Sequence, residues 1–125
     1  MILFLKGGQK IVMICTNQNK VEEMLLLVKE AIKTKNYKIL DDRRKFLETL
    51  TSLGITKNDV ILDIANLSIN DEWVCKEDNN PCYPGEVWIT KKKLYGNKIY
   101  IKIKIKINEN NKLLIMSYHI DEYDD

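Results

Sequence analysis

No stretch of this chain approaches the ~20 consecutive apolar residues that a membrane helix requires. The opening Met1-Ile2-Leu3-Phe4-Leu5 is too short for a signal-peptide core and has no charged segment before it, so a cytoplasmic location is expected. Histidine occurs once, at His119, and the three cysteines Cys15, Cys75 and Cys82 are odd in number and widely spread. A zinc site needs ligands paired at close spacing, and one histidine cannot complete that set. Neither a structural metal nor a cofactor is expected, and reduced thiols are the natural reading of the cysteines. The five glycines form no phosphate loop, and neither an internal repeat nor a coiled-coil heptad is present.

What remains is a globular composition, 45% hydrophobic and 30% charged, which argues against disorder. At 125 residues it suffices for one compact core. Residues 1–12, apolar with a Gly7-Gly8 break, read as an extension or a short strand. Residues 13–125 read as the domain, and Met13 is as good a start as Met1.

The strongest pattern lies in the last third. Ile99, Ile101, Ile103, Ile105 and Ile107 alternate with Tyr100, Lys102, Lys104 and Lys106, the period of a strand with one buried and one open face. Asn108-Glu109-Asn110-Asn111 is turn chemistry. A second strand follows, with Leu114, Met116, Tyr118 and Ile120 on one face and Leu113, Ile115, Ser117 and His119 on the other. A four-residue loop sets Tyr100 opposite His119; a slip by two sets Lys102 there instead. A preceding strand runs from Glu86 to about Leu94. If Tyr95-Gly96-Asn97 is a three-residue loop, Val87 and Ile89 join the isoleucines, Trp88 and Thr90 join the lysines, and Glu86 lies near Lys106. A two-residue Gly-Asn turn flips that strand.

Before the sheet, helical periodicity recurs three times. Asn19 is placed to cap a helix carrying Val21, Met24, Leu25, Val28 and Ile32, with Glu22 reaching back, and Thr34-Lys35-Asn36 ends it. Tyr37 to Leu40 is extended. Asp41 or Asp42 caps a second helix with Phe46, Leu47, Leu50 and Leu53, stopped by Gly54. Arg43, Arg44 and Lys45 fall in its first turn, where cations oppose the helix dipole; they mark either phosphate binding or a solvated helix end. Thr56, with Asp59 three residues on, caps a third helix carrying Val60, Ile61, Ile64 and Leu67. Ser68 to Pro84 reads as a long polar loop. Helices followed by an antiparallel meander of three or more strands make the fold α+β, with the helices packed on the sheet.

Charge is uneven. From Gly85 to Lys112 there are eight lysines against Glu86 and Glu109, whereas the chain before Gly85 balances to zero. A basic sheet face is a footprint for an anionic polymer, although strand lysines also suppress aggregation. On that face His119 keeps company with Tyr100, Ser117 and the lysines. Cleavage of RNA through its own 2′-hydroxyl needs a base, an acid and cations around the phosphate, and these side chains supply all three. A lone histidine on a sheet surface is the plainer alternative.

The stretches LGITKNDVILDIANLS, Asp71-Glu72-Trp73, PGEVW, IYIKIKI and LLIMSYH together resemble the MqsR-type (motility quorum-sensing regulator) toxins of type II toxin–antitoxin modules, relatives of the RelE-like ribonucleases. The resemblance spans about Val21 to Glu122. It implies a metal-independent mRNA endoribonuclease of RelE-like fold. It also implies a cognate antitoxin, often with a helix-turn-helix DNA-binding region. By position, the family's strand tyrosine matches Tyr100, and its closing basic residue falls on His119. Its loop lysine falls on Val74, with Lys76 two residues on, and its polar residue at the first sheet strand falls near Gly85 or Glu86. The expected catalytic set is therefore His119, Tyr100, Lys102 and Glu86. The expected RNA contacts are Lys76, Lys91, Lys92, Lys104, Trp88 and Ser117. The alternative is a non-catalytic RNA-binding module on the same face, with Trp88 and Tyr100 as stacking platforms. An antitoxin is expected to present acidic and apolar groups to this face or its edge, or else to bind the helical side.

Overall fold

The computed structural model describes residues 18–77 and 86–122 together with the backbone of residues 12–14. The expected extension over 1–12 lies outside them except at Val12. In chain order the elements are β1 (Val12–Ile14), α1 (Gln18–Lys33), β2 (Tyr37–Ile39), α2 (Arg44–Leu53), α3 (Lys57–Ala65), β3 (Trp73–Glu77), β4 (Glu86–Leu94), β5 (Asn97–Lys106) and β6 (Lys112–Ile120). The strands form one six-stranded sheet in the order β1-β3-β4-β5-β6-β2. Every pairing is antiparallel except that of β2 with β6, where Tyr37 to Ile39 run beside Leu113 to Ile115. The expected α+β architecture is what forms, with the helices on the isoleucine face.

The helices follow their patterns closely. Val21, Met24, Leu25, Val28 and Ala31 bury the inner stripe of α1, and Val60, Ile61 and Ile64 that of α3. Thr56 and Asp59 make a reciprocal capping box, and Gly54 ends α2 at φ 67°. Two details differ. The N-cap of α2 is Arg43 without a side-chain cap bond, because Asp41 is drawn away to Lys57. Leu47 points outward, while Thr49 takes an inner position.

Three sheet expectations are corrected. First, Trp73–Glu77 is strand rather than loop: Trp73 and Cys75 bury themselves in the core, which a chain of mixed polarity did not advertise. Second, the β4–β5 loop has two residues, with Leu94 opposite Asn97 and Tyr95 and Gly96 at φ 55° and 73°. Both positive angles are those of a type I′ hairpin turn. The consequence is that Trp88 faces Ile103 and Thr90 faces Ile101, while Val87 and Ile89 face Lys104 and Lys102. Trp88 is only 4% exposed, and its ring meets that of Trp73 edge-on at 6.2 Å.

Third, β6 changes phase. Lys102 pairs with Ser117 but Ile103 pairs with Ile115, so Met116 is an extra residue. This bulge puts Leu113 and Ile115 on the buried side before it and Tyr118 after it, while Leu114 joins the lysine side opposite Lys104. Tyr118 is held inward by a 2.6 Å hydrogen bond donated to Asp63 of α3, and Tyr95 donates to the same carboxylate at 2.9 Å.

Burial of Trp88 gives a stability prediction. Trp88→Ala should cost about 3–5 kcal/mol in urea unfolding, the usual size for deleting a core tryptophan. On an open lysine face the same change would cost within about 0.5 kcal/mol, and an effect that small would contradict the observed register.

Candidate functional site

On the face away from the helices, three strands bring Lys91, Tyr100 and His119 into one row. Tyr100 and His119 are directly opposite, and their rings stack at 5.1 Å between centroids and 16° between planes. Offset stacking of this kind adds about 0.5–1.5 kcal/mol beyond buried area and fixes both rings. Two residue pairs along, Lys102 stands opposite Ser117, so the period of two returns it to the same face. Lys91 Nζ lies 3.0 Å from a carboxylate oxygen of Asp121, whose side chain is almost wholly buried.

These surroundings act on the Tyr100 phenol. Burial raises the Tyr100 phenol above its ordinary value; Lys91 pulls it down and Asp121 pushes it up again. Tyr100 is therefore a neutral hydrogen-bond donor at pH 7. His119 Nδ1 is 3.1 Å from the Ile120 carbonyl. In the tautomer that donates Nδ1–H to this oxygen, Nε2 carries the lone pair and is the basic nitrogen.

The edge of β6 adds groups that strand reasoning left apart. Beyond Ile115, where β2 stops, α2 packs against β6, and Thr49 Oγ1 accepts the Ile120 N–H at 3.0 Å. That hydrogen bond brings the start of α2 alongside the bulge. Arg43, Arg44, Lys45, Phe46 and residues 116–119 line a cavity of about 200 Å³ there. His119 and Ser117 thus border both the open face and this cavity. The only sequence signal was the unfavourable placement of three cations in a first helical turn.

Of the expected site residues, His119, Tyr100, Lys102, Ser117 and Lys91 come together. Lys76 shares the same face but lies toward the other end, opposite Val87 on β3. The remainder are corrected. Glu86 is on the helix-facing side of β4, five residues or roughly 17 Å from Lys91 along the strand. It pairs there with Lys20 and accepts from the Cys75 thiol at 3.2 Å, so it is not a base at this site. Trp88 is core and offers no stacking platform. Lys92 sits opposite Ile99 on the inner side and reaches Asp71 at 3.3 Å. Lys104 is on the lysine side but 0% exposed, so it presents no open charge to a ligand. Gly85 lies outside the described residues, as do Cys15 and Cys82; Cys75 is a buried thiol in no disulfide.

No described helix is long and apolar enough to cross a membrane. Comparison of the chain with protein-family models, curated proteins and solved structures gives no match.

The titration of Tyr100 checks this electrostatic picture. In ultraviolet titration of the wild type minus Tyr100→Phe, the Tyr100 signal should still be mostly un-ionised near pH ~10, where a free phenol is half ionised. Asp121→Asn should move that midpoint down and Lys91→Ala should move it up. A Tyr100 midpoint below the ordinary phenol value, or shifts of opposite sign, would contradict the described environment.

Proposed function

We propose that this protein is a metal-independent endoribonuclease acting on mRNA, a toxin of the MqsR type restrained by a cognate antitoxin. The observation that supports the reading is the stacked Tyr100–His119 pair, flanked by Lys102, Ser117 and Lys91 on a basic sheet face. In the reaction, His119 Nε2 takes the proton from the 2′-hydroxyl, and that oxygen attacks phosphorus. The bond from phosphorus to the 5′-oxygen breaks. Tyr100, neutral at pH 7, donates a proton toward that leaving oxygen. Lys102 offsets the charge that gathers on the phosphorane. The products are a 2′,3′-cyclic phosphate and a 5′-hydroxyl.

This reading is preferred to a passive RNA-binding module on one ground. With Trp88 in the core, Tyr100 is the one expected stacking platform left on the face, and His119 already occupies one side of its ring. A base-stacking surface would keep such rings open.

Purified protein should cut single-stranded RNA in excess EDTA and leave a 2′,3′-cyclic phosphate. His119→Ala should slow cleavage by at least about tenfold to a hundredfold, the ordinary contribution of one acid–base group, with little change in RNA affinity. Glu86→Gln should leave cleavage nearly unchanged. Cleavage that requires added magnesium would refute the mechanism. Co-expression of an adjacent antitoxin gene should restore growth arrested by this protein. Normal growth and intact mRNA in cells expressing this protein alone would refute the toxin assignment.

A further inference from the structure

The cavity between α2 and the β6 bulge gathers three cations, Arg43, Arg44 and Lys45, in one lining. Several lysines near the sheet are matched with acids: Lys20 with Glu86, Lys91 with Asp121, Lys92 with Asp71, and Lys106 with Glu109. At the cavity, Arg44 is engaged by Glu48 on the outside of the helix. Arg43 and Lys45 are exposed, and neither has an ion-pair partner among the described residues. Asp41 is held by Lys57, and Asp42 does not line the space. Two cations from α2 therefore converge with His119 and Ser117 on a cavity without a lining carboxylate.

We propose that this cavity is a second phosphate subsite for the RNA strand, holding the phosphodiester next to the one cleaved at Tyr100–His119. The inference rests on the ribonuclease reading for the identity of the strand. Its geometric basis is separate. His119 is common to both places: its ring stacks on Tyr100, and the residue also lines the cavity. A strand whose phosphate sits at His119 and crosses the β6 edge brings its neighbour to Arg43 and Lys45. At about 200 Å³ the cavity is smaller than the ~300–1,000 Å³ of pockets that enclose drug-sized ligands. It suits a phosphate rather than a whole nucleoside. Arg43 can grip two phosphate oxygens with its fork, while Lys45 acts as a point charge and the Ser117 hydroxyl as a donor. The subsite sets the direction and register of the strand without reading its bases.

The test uses the intact protein and a 2′-deoxy oligonucleotide, which has no internal nucleophile and so reports binding without cleavage. Arg43→Gln with Lys45→Gln should weaken its binding by roughly tenfold. The slope of log affinity against log salt should fall by about 0.7, the contribution of the one single-strand phosphate no longer neutralised. The control, Lys29→Gln with Lys33→Gln on the exposed side of α1, removes the same charge and should leave that slope unchanged. This pattern supports the subsite even if the protein proves unable to cut RNA, an outcome that would sink the ribonuclease reading alone. Equal effects in the two double variants would overturn the subsite, and so would no effect in either. Unchanged oligonucleotide binding joined to abolished binding of an acidic partner protein would overturn it too. Thermal melts of both variants guard against misfolding. If the first pair melts early, the single Arg43→Lys variant, which keeps charge but not the fork, should weaken binding with the slope intact, and unaltered binding there would overturn the subsite.

Discussion

A β-strand has two faces and alternates between them, so a single extra residue exchanges the roles of everything beyond it. In β6 that residue is Met116. On one side of it the core takes Leu113 and Ile115; on the other it takes Tyr118, clamped by the Asp63 carboxylate of α3. With Tyr118 committed inward, Ser117 and His119 must point out. Without the bulge, a strand that buries Leu113 and Ile115 would also bury His119. The buried tyrosine and the outward-facing histidine are therefore two consequences of one backbone irregularity, held by a hydrogen bond to a helix more than fifty residues earlier in the chain.

The same dependence explains what could be read from the residues alone. The isoleucine–lysine alternation of β5 survives folding, as does the pairing of Tyr100 with His119, because the two strands keep their simple register as far as Lys102. The alternation expected for β6 fails nearer the turn, since a bulge leaves no mark in a run such as Leu-Leu-Ile-Met. The α3 cap was visible because Thr56 and Asp59 are local to one another. The α2 cap was not, because Asp41 is claimed by Lys57, sixteen residues away.

The β4 register shows the limit more sharply. Asn-Gly and Gly-Asn are the usual signs of a two-residue hairpin, and Tyr-Gly is not, since tyrosine has no steric reason to adopt positive φ. Tyr95 does so while its hydroxyl bonds to Asp63, a tertiary interaction that offsets a local cost. That one turn carries Trp88 into the core and puts Glu86 on the opposite face of the sheet from His119. Thus Tyr100, His119, Lys102 and Ser117 were evident as a group from periodicity, and the exclusion of Glu86, Trp88 and Lys92 depended on a turn whose preference is set elsewhere. The cations of α2 gave a hint of their own by standing where a helix disfavours them, but only the docking of Thr49 on Ile120 says what they stand beside.

The parallel pairing of β2 with β6 has a temporal consequence. Tyr37 lies beside Leu113, about 75 residues later in the chain. At a synthesis rate of ~5–20 residues per second, β2 waits roughly 4–15 s for the strand it must join. Throughout that interval α1, α2 and α3 can form, but the sheet lacks an interior member, and His119 does not yet exist to meet Tyr100. The order of manufacture thus keeps the two rings of the site apart until nearly the whole described chain has been made.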